Sequence, residues 1–442
     1  MQPTESKVKK HILIIIGLSL VLRIIAGYAV GNHFNPATWE YENLARSLLE
    51  NGTFSIEYRE YGEYKALLGP GYPFLTFLAY KVVGVNHTIM LFVQFLLMTS
   101  FSLAIYGIAY FFFKKTDIAL IAGLLSVLHP GLLYYSSANL HEFNLYMPLF
   151  YGALLLCLVA CRKGEWKYFI LLGLIGGLAV FTRATIFPAL ILWMAFYALF
   201  PFEVGISKRF LKASTAIILI VAVNIPWMIR NYDQFNQFVF SQTNKWEAFW
   251  IGNNSNASGG QFKADGTAVL SCKGEEMQGR INASVNDEIA IENIFKDYAF
   301  KYVRENPSHF IKGLFRKGFY FWWFHPQTGL FYPRSYLIAY KILYSALLLM
   351  AAIGIYICHK RRLWSIEMLF PAILILGIWS VHTLNFNEMR HRWTVEPVLL
   401  IFASVAIFFL SGKIYQYWHG NNHSSGNPSI QPSVIPQDDN IK

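Results

Sequence analysis

Ten apolar stretches, each near the length that crosses a bilayer, constrain this chain more than anything else in it. A spanning helix needs about 20 predominantly apolar residues. Such stretches lie near 11–30, 88–113, 118–135, 141–160, 168–182, 184–200, 211–229, 336–357, 365–383 and 395–412. Charge is correspondingly scarce. Of the 442 residues 55% are apolar and 14% charged, against about 25% charged in soluble domains. The chain is therefore expected to be an all-α polytopic membrane protein of about ten transmembrane helices.

The formal net charge is +11, which by itself would suit nucleic acid. The basic residues, however, sit in short links between spans, as the positive-inside rule requires, so no nucleic-acid partner is predicted. Lys114 and Lys115, residues 162–167, then Lys208, Arg209 and Lys212, then 360–362 and Lys413 fall at alternate span ends. Together with Lys7, Lys9 and Lys10 they share one side, read as cytoplasmic, and an even number of spans puts both termini there. The first span lacks a small-residue cleavage site and reads as a retained helix. Of the four cysteines only Cys272 lies in a long polar loop, so that loop has no internal disulfide, and no cysteine spacing suggests zinc. Residues 1–414 are expected to form one membrane domain with long outer loops at 31–87 and 230–335. Residues 415–442, rich in Asn, Ser, Pro and Gln, are expected to be disordered.

Loop one opens with "NPATWEYENLARSLLENGTF", residues 35–54. Asn35 suits a helix cap, Pro36 its first turn and Gly52 its end. Tyr41, Leu44, Ala45, Leu48 and Leu49 recur at helical spacing, so the helix should lie in the outer interface. Glu40 falls at the edge of that apolar face, about 85° from its centre. A second helix follows the Pro-Gly turn in "ALLGPGYPFLTFLAYKVVG", residues 66–84. The other loop contains the flexible "GNNSNASGGQ" (252–261), a helical run near 285–305 and an interfacial aromatic segment over 307–330.

In this order the motifs resemble the glycosyltransferase-C superfamily, in the family 39-like branch of protein O-mannosyltransferases and the lipid A aminoarabinose transferase. "EYENLARSLLENGTF" and "GPGYPFLTFLAYKVVG" resemble its first outer loop. "HPGLLYYSSANLHEFNL" (129–145) resembles its second, where an acid opens the next helix. "GLAVFTRATIFPAL" (177–190), "NIPWMIRNY" (224–232), "GNN" (252–254) and "RHRWTVEPVLL" (390–400) resemble later conserved segments. The branch often carries an Asp four residues before the Tyr. Here that position is Ala37, and the nearest acid is Glu40.

The resemblance implies transfer of a sugar from a polyprenyl phosphate to a lipid, glycan or protein on the non-cytoplasmic face, with inversion. A bacterial inner membrane with a periplasmic site is the expected setting, among membrane lipids. The sequence carries no P-loop and no strand-borne GxGxxG, in keeping with a donor that is not a nucleotide. Such chemistry needs a carboxylate to deprotonate the acceptor, cations for the departing phosphate and a site closed to water. Glu40 is the first candidate for the base and Glu142 the second. The competing readings are a solvated interfacial glutamate for the first and a helix N-terminal acid for the second. Tyr41, Asn139 and His141 are candidates for binding substrate. Arg183, Arg390, Arg392 and Lys65 are candidates for the donor phosphate. Arg183 would otherwise snorkel to headgroups, and the 390–392 cluster would otherwise be a topological flank. Arg23, in the outer half of the first span, would pair with an acid of loop one or reach a headgroup. Glu40, Glu142 and His141 are of metal-binding type, but nothing has a diagnostic spacing and no metal or other cofactor is predicted. The alternative functions are a polyprenyl-lipid flippase or transporter and a non-catalytic partner of the same fold.

Overall fold

The structure, a computed structural model, describes residues 5–31, 34–200, 202 and 205–420. The chain opens with α1 (Glu5–Ala29). Loop one holds α2 (Glu40–Glu50), a hairpin of β1 (Ile56–Glu57) and β2 (Glu63–Tyr64), and α3 (Gly71–Val83). Then come α4 (His87–Phe113), α5 (Thr116–Leu128), α6 (Pro130–Ala138), α7 (Phe143–Lys163), α8 (Trp166–Thr182), α9 (Phe187–Leu199) and α10 (Ile206–Phe235). The second long loop carries α11 (Lys245–Gly252), α12 (Glu275–Asn282), α13 (Glu288–Glu305), α14 (Pro307–Trp322) and α15 (Thr328–Phe331). The chain closes with α16 (Arg334–Lys360), α17 (Leu369–Leu384), α18 (Met389–Trp393) and α19 (Glu396–Gly420). The predicted tail beyond Gly420 lies outside the described residues.

Among the described residues six helices are long and apolar enough to cross a membrane. The pair α5 and α6, bent by 48° at its junction, passes the same test when taken together. Three shorter apolar helices, Trp166–Thr182, Ala184–Leu199 and Glu396–Gly412, complete the set, and each of the ten predicted stretches falls on one of these elements. The protein is an all-α polytopic membrane protein. The bend at His129–Pro130 has a local cause. Pro130 brings no N–H, and the residue before it is pushed out of the helical region. His129 Nδ1 then accepts the Leu132 N–H at 3.2 Å and caps the new helix.

Contacts between links sort the span ends. Lys7 meets Asp117 at 2.9 Å, Arg162 meets Glu367 at 3.4 Å, and Lys212 donates to the Gly164 carbonyl at 2.5 Å. Lys115 and Arg361 both lie over the Phe409 ring. The basic links thus share one end of the molecule. The two long loops share the other, where they build one core. Tyr58, Tyr61, Tyr64 and Leu67 of loop one pack with Trp250, Val269, Ile281, Ile291 and Phe295 of the second loop. Glu288 ties the two together by accepting from Lys65 N at 2.7 Å and from the Thr243 hydroxyl. Arg230 adds bonds to the carbonyls of Lys65 and Phe54 at 2.7 and 3.1 Å.

The first-loop helix begins later than its cap signals predict. Residues 35–39 stay extended because Ala37 pairs with the link after α6. Ala37 N–H donates to the Ala138 carbonyl at 2.8 Å, and its own carbonyl accepts from Leu140 N–H at 2.9 Å. A long-range backbone pairing therefore overrides the Asn35–Pro36 start, and Trp39 becomes the N-cap. Glu40 is the first helical residue and only half-buried. The acid this helix buries is Glu42, which meets His87 at 3.2 Å. Arg23 meets no acid among the described residues. Its guanidinium donates to Ser136 Oγ at 3.2 Å and Ser19 Oγ at 2.5 Å.

Candidate active site

Four short pieces of chain meet at the end of the bundle that carries the long loops. They are the start of α2, the link 139–142, the α8–α9 junction at Arg183, and residues 385–392. The link 139–142 is organised by Gln94, buried in α4. Its Oε1 accepts from Tyr72 OH at 2.6 Å, His141 N at 3.2 Å and Asn144 Nδ2 at 2.9 Å. Its Nε2 donates to the Asn139 carbonyl at 3.0 Å. A fully satisfied buried amide of this kind specifies one loop conformation. Asn139 Oδ1 in turn accepts from Trp39 Nε1 at 3.2 Å and draws in the start of α2.

At the α8–α9 junction the "GPG" turn presses on Thr182. A Cβ on Gly69 would lie 2.5 Å from the Thr182 carbonyl oxygen, and one on Gly71 would lie 2.3 Å from its Oγ1. Only glycine admits this approach, which fixes the backbone one residue before Arg183. Residues 385–388 are clamped from behind by Lys317. Its ammonium, buried outside the spans, donates to Gly252 O at 3.1 Å, Asn253 Oδ1 at 2.8 Å and Leu384 O at 3.0 Å. Asn387 Nδ2 returns a bond to Lys317 O at 2.6 Å.

The side chains so placed form a compact charged group. Arg183 Nη1 meets Glu142 Oε1 at 2.5 Å, and its Nε donates to Thr185 at 3.1 Å. Arg390 lies 2.6 Å from Glu388 and donates to Tyr135 OH at 3.0 Å. The Tyr41 ring packs 4.8 Å from His141. Burial raises the Tyr41 hydroxyl well above its ordinary value, and the Glu142 carboxylate beside it adds to this. The His141 proton can be located. Nδ1 accepts from Phe143 N–H at 3.1 Å, so the neutral ring carries its hydrogen on Nε2. That Nε2 lies 3.4 Å from Arg390 Nη1. Both atoms are then donors, and the contact is not a hydrogen bond. Arg390 and the His141 N–H converge, with Arg183 close by, on a place suited to an anion.

The neutrality of these rings has a consequence for pH. Burial lowers the values of His141 and His391 well below 6.5, and nearby positive charge (Arg390 and Arg183) lowers both further. The folded rings stay neutral while unfolded ones take up protons as the pH falls through about 6.5. Their share of stability is full above that value and is lost on acidification. Thermal unfolding in detergent at about pH 7.5 and about pH 5.5 should show a smaller acid-induced loss for His141→Gln than for wild type.

Of the residues singled out from sequence, the structure brings together Tyr41, Asn139, His141, Glu142, Arg183 and Arg390. Glu40 stands beside the group at the first turn of α2, with no hydrogen bond or ion pair to a described residue. Lys65 lies apart, its side chain 42% exposed and 3.8 Å from Glu63. Arg392 also lies apart. It pairs with Glu396 at 2.5 Å, both side chains at most 2% exposed, and its guanidinium sits 3.7 Å from the Tyr344 ring centre. Four neighbours were not legible as site residues: Gln94, Tyr135, His382 and Glu388. His382 stacks on His391 at 3.8 Å. Only Glu388 had a usable signal, an acid at the start of a short helix with a partner three residues on, the spacing of a capping box. That box is present, Glu388 accepting from His391 N–H while His391 Nδ1 accepts from Glu388 N–H.

No curated protein matches the chain significantly. Residues 68–227, from α3 into α10, match the family model described as dolichyl-phosphate-mannose-protein mannosyltransferase. That stretch contains Asn139, His141, Glu142 and Arg183. Together with the all-helical membrane architecture, the match supports a membrane glycosyltransferase of the glycosyltransferase-C type.

Proposed function

We propose that the protein transfers a sugar from a polyprenyl phosphate to a hydroxyl-bearing lipid, glycan or protein. The site would face the periplasm of a bacterial inner membrane, with both termini cytoplasmic. The observation that carries this reading is the convergence of Arg183, Arg390 and the His141 Nε2–H at the end away from the basic links. The grouping of basic links supports the sidedness.

In this reading the donor phosphate, one negative charge while esterified to the sugar, lies against Arg183, Arg390 and His141. The Glu142 carboxylate takes the acceptor O–H proton as the oxygen attacks the anomeric carbon. The carbon–phosphate oxygen bond breaks, and its electron pair stays on polyprenyl phosphate, which leaves with a second negative charge. The arginines stabilise that developing charge more than the ground state, which is the condition for catalysis. A single displacement of this kind inverts the anomeric centre. Tyr41 and Asn139 would line the sugar subsite. Lys65 and Arg392 take structural roles in this reading.

Glu40 remains a second candidate for the base, because its carboxylate, beside Tyr41, has no partner among the described residues. Transfer of label from polyprenyl-phosphate sugars to an envelope extract separates the two. Glu142→Gln should lower transfer by about 10²- to 10⁴-fold, and Glu40→Gln by less than about tenfold. The reverse order would move the base to Glu40.

A further inference from the structure

We propose that Glu388 is a positioning residue that occupies Arg390 until the donor phosphate takes its place. This rests on the reading of Arg183 and Arg390 as the phosphate site. The ion pair is close but poorly directed. Glu388 Oε2 lies 2.6 Å from Arg390 Nε, yet that buried Nε makes no hydrogen bond to any described group. A phosphate in the plane of the guanidinium would supply the aligned bonds that the carboxylate does not.

Exposure separates this pair from its neighbour in sequence. The Arg390 and Glu388 side chains are 33% and 17% exposed, whereas Arg392 and Glu396 are 2% and 1% exposed. The Arg390 Nε is itself buried, but both side chains are partly open to water, so this pair parts at smaller cost than Arg392 and Glu396. The backbone is held independently of the pair. Lys317 grips Leu384 O, and Asn387 N–H donates to Gly259 O at 2.9 Å. Glu388 also caps α18 through the His391 N–H. Release of Arg390 therefore needs a side-chain movement only, with α18 in place. Until the phosphate arrives, Glu388 neutralises Arg390 and keeps an unpaired cation from water or stray anions. Donor and Glu388 compete for one guanidinium.

Competition makes a prediction opposite in sign to a structural role. Glu388→Gln keeps an oxygen to cap His391 N–H and removes the charge. The full-length protein in detergent would be titrated with polyprenyl phosphate, and donor KM and kcat measured alongside. Glu388→Gln should bind polyprenyl phosphate about 3- to 10-fold more tightly than wild type, lower the donor KM in step, and leave kcat no higher. Glu388→Asp should restore wild-type binding. Glu388→Ser, which also caps a helix, gives the same reading should the Gln variant fold poorly. Binding by the neutral variants equal to or weaker than wild type would overturn the competition while leaving the phosphate site intact. A wild-type protein that binds no polyprenyl phosphate would remove the phosphate-site reading and this inference with it.

Discussion

Arg183→Ala is expected to lower sugar transfer by about 10²- to 10³-fold, the loss seen when one donor to a developing oxyanion is removed. Two effects act together. The departing phosphate loses a guanidinium, and Glu142 loses the partner that holds it at 2.5 Å. A carboxylate without that partner is no longer held in one orientation toward the acceptor hydroxyl. Arg183→Lys should recover only part of the rate. Its single nitrogen does not reproduce the two separate positions, Nη1 and Nε, from which the guanidinium reaches Glu142 and Thr185. Initial rates on protein of equal monodispersity and melting temperature check the prediction. A loss below tenfold for the alanine variant would detach Arg183 from the chemistry.

The second large effect concerns stability. Arg392→Met should destabilise the protein by about 3–5 kcal/mol, the usual cost of leaving one partner of a buried pair alone. The stranded group would be Glu396, which also receives His129 Nε2 and, at 3.3 Å, Tyr340 OH. Trp393 Nε1 donates to that same Tyr340 oxygen at 2.6 Å. The network therefore ties the bend between α5 and α6 to α16, α18 and α19, and its loss should loosen all four. The double variant Arg392→Met/Glu396→Gln should recover a good part of the loss, because it removes the stranded charge. Thermal unfolding in detergent, read by tryptophan fluorescence, measures both. Equal stability of Arg392→Met and wild type would show the pair to be dispensable.

The fold was legible because spanning a bilayer leaves a strong sequence trace. All ten apolar stretches became helices, and the basic links cluster at one end. The site was legible only where a charged residue interrupts that pattern. Arg183 between two apolar helices and Glu142 at the head of another stand out from their surroundings, and they pair. Arg390 and Arg392 look alike in sequence, two residues apart. On a helix that spacing turns them about 200° from each other, so one meets the outer site and the other the buried Glu396. The α2 start was misplaced because the pairing of Ala37 with the link after α6 is non-local, and cap signals report only local preference. Gln94 lies within an apolar helix and Tyr135 beside Tyr134. Their roles come from tertiary packing, which no spacing encodes.

The most direct test of the proposed site is acceptor-dependent release of polyprenyl phosphate from a polyprenyl-phosphate sugar by the purified protein in liposomes. The proposed site predicts release by wild type and release slower by about a hundredfold or more for Glu142→Gln and for Arg183→Ala, with all three proteins folded. Release by Glu142→Gln at the wild-type rate, or no release by folded wild type with any sugar donor, would contradict it.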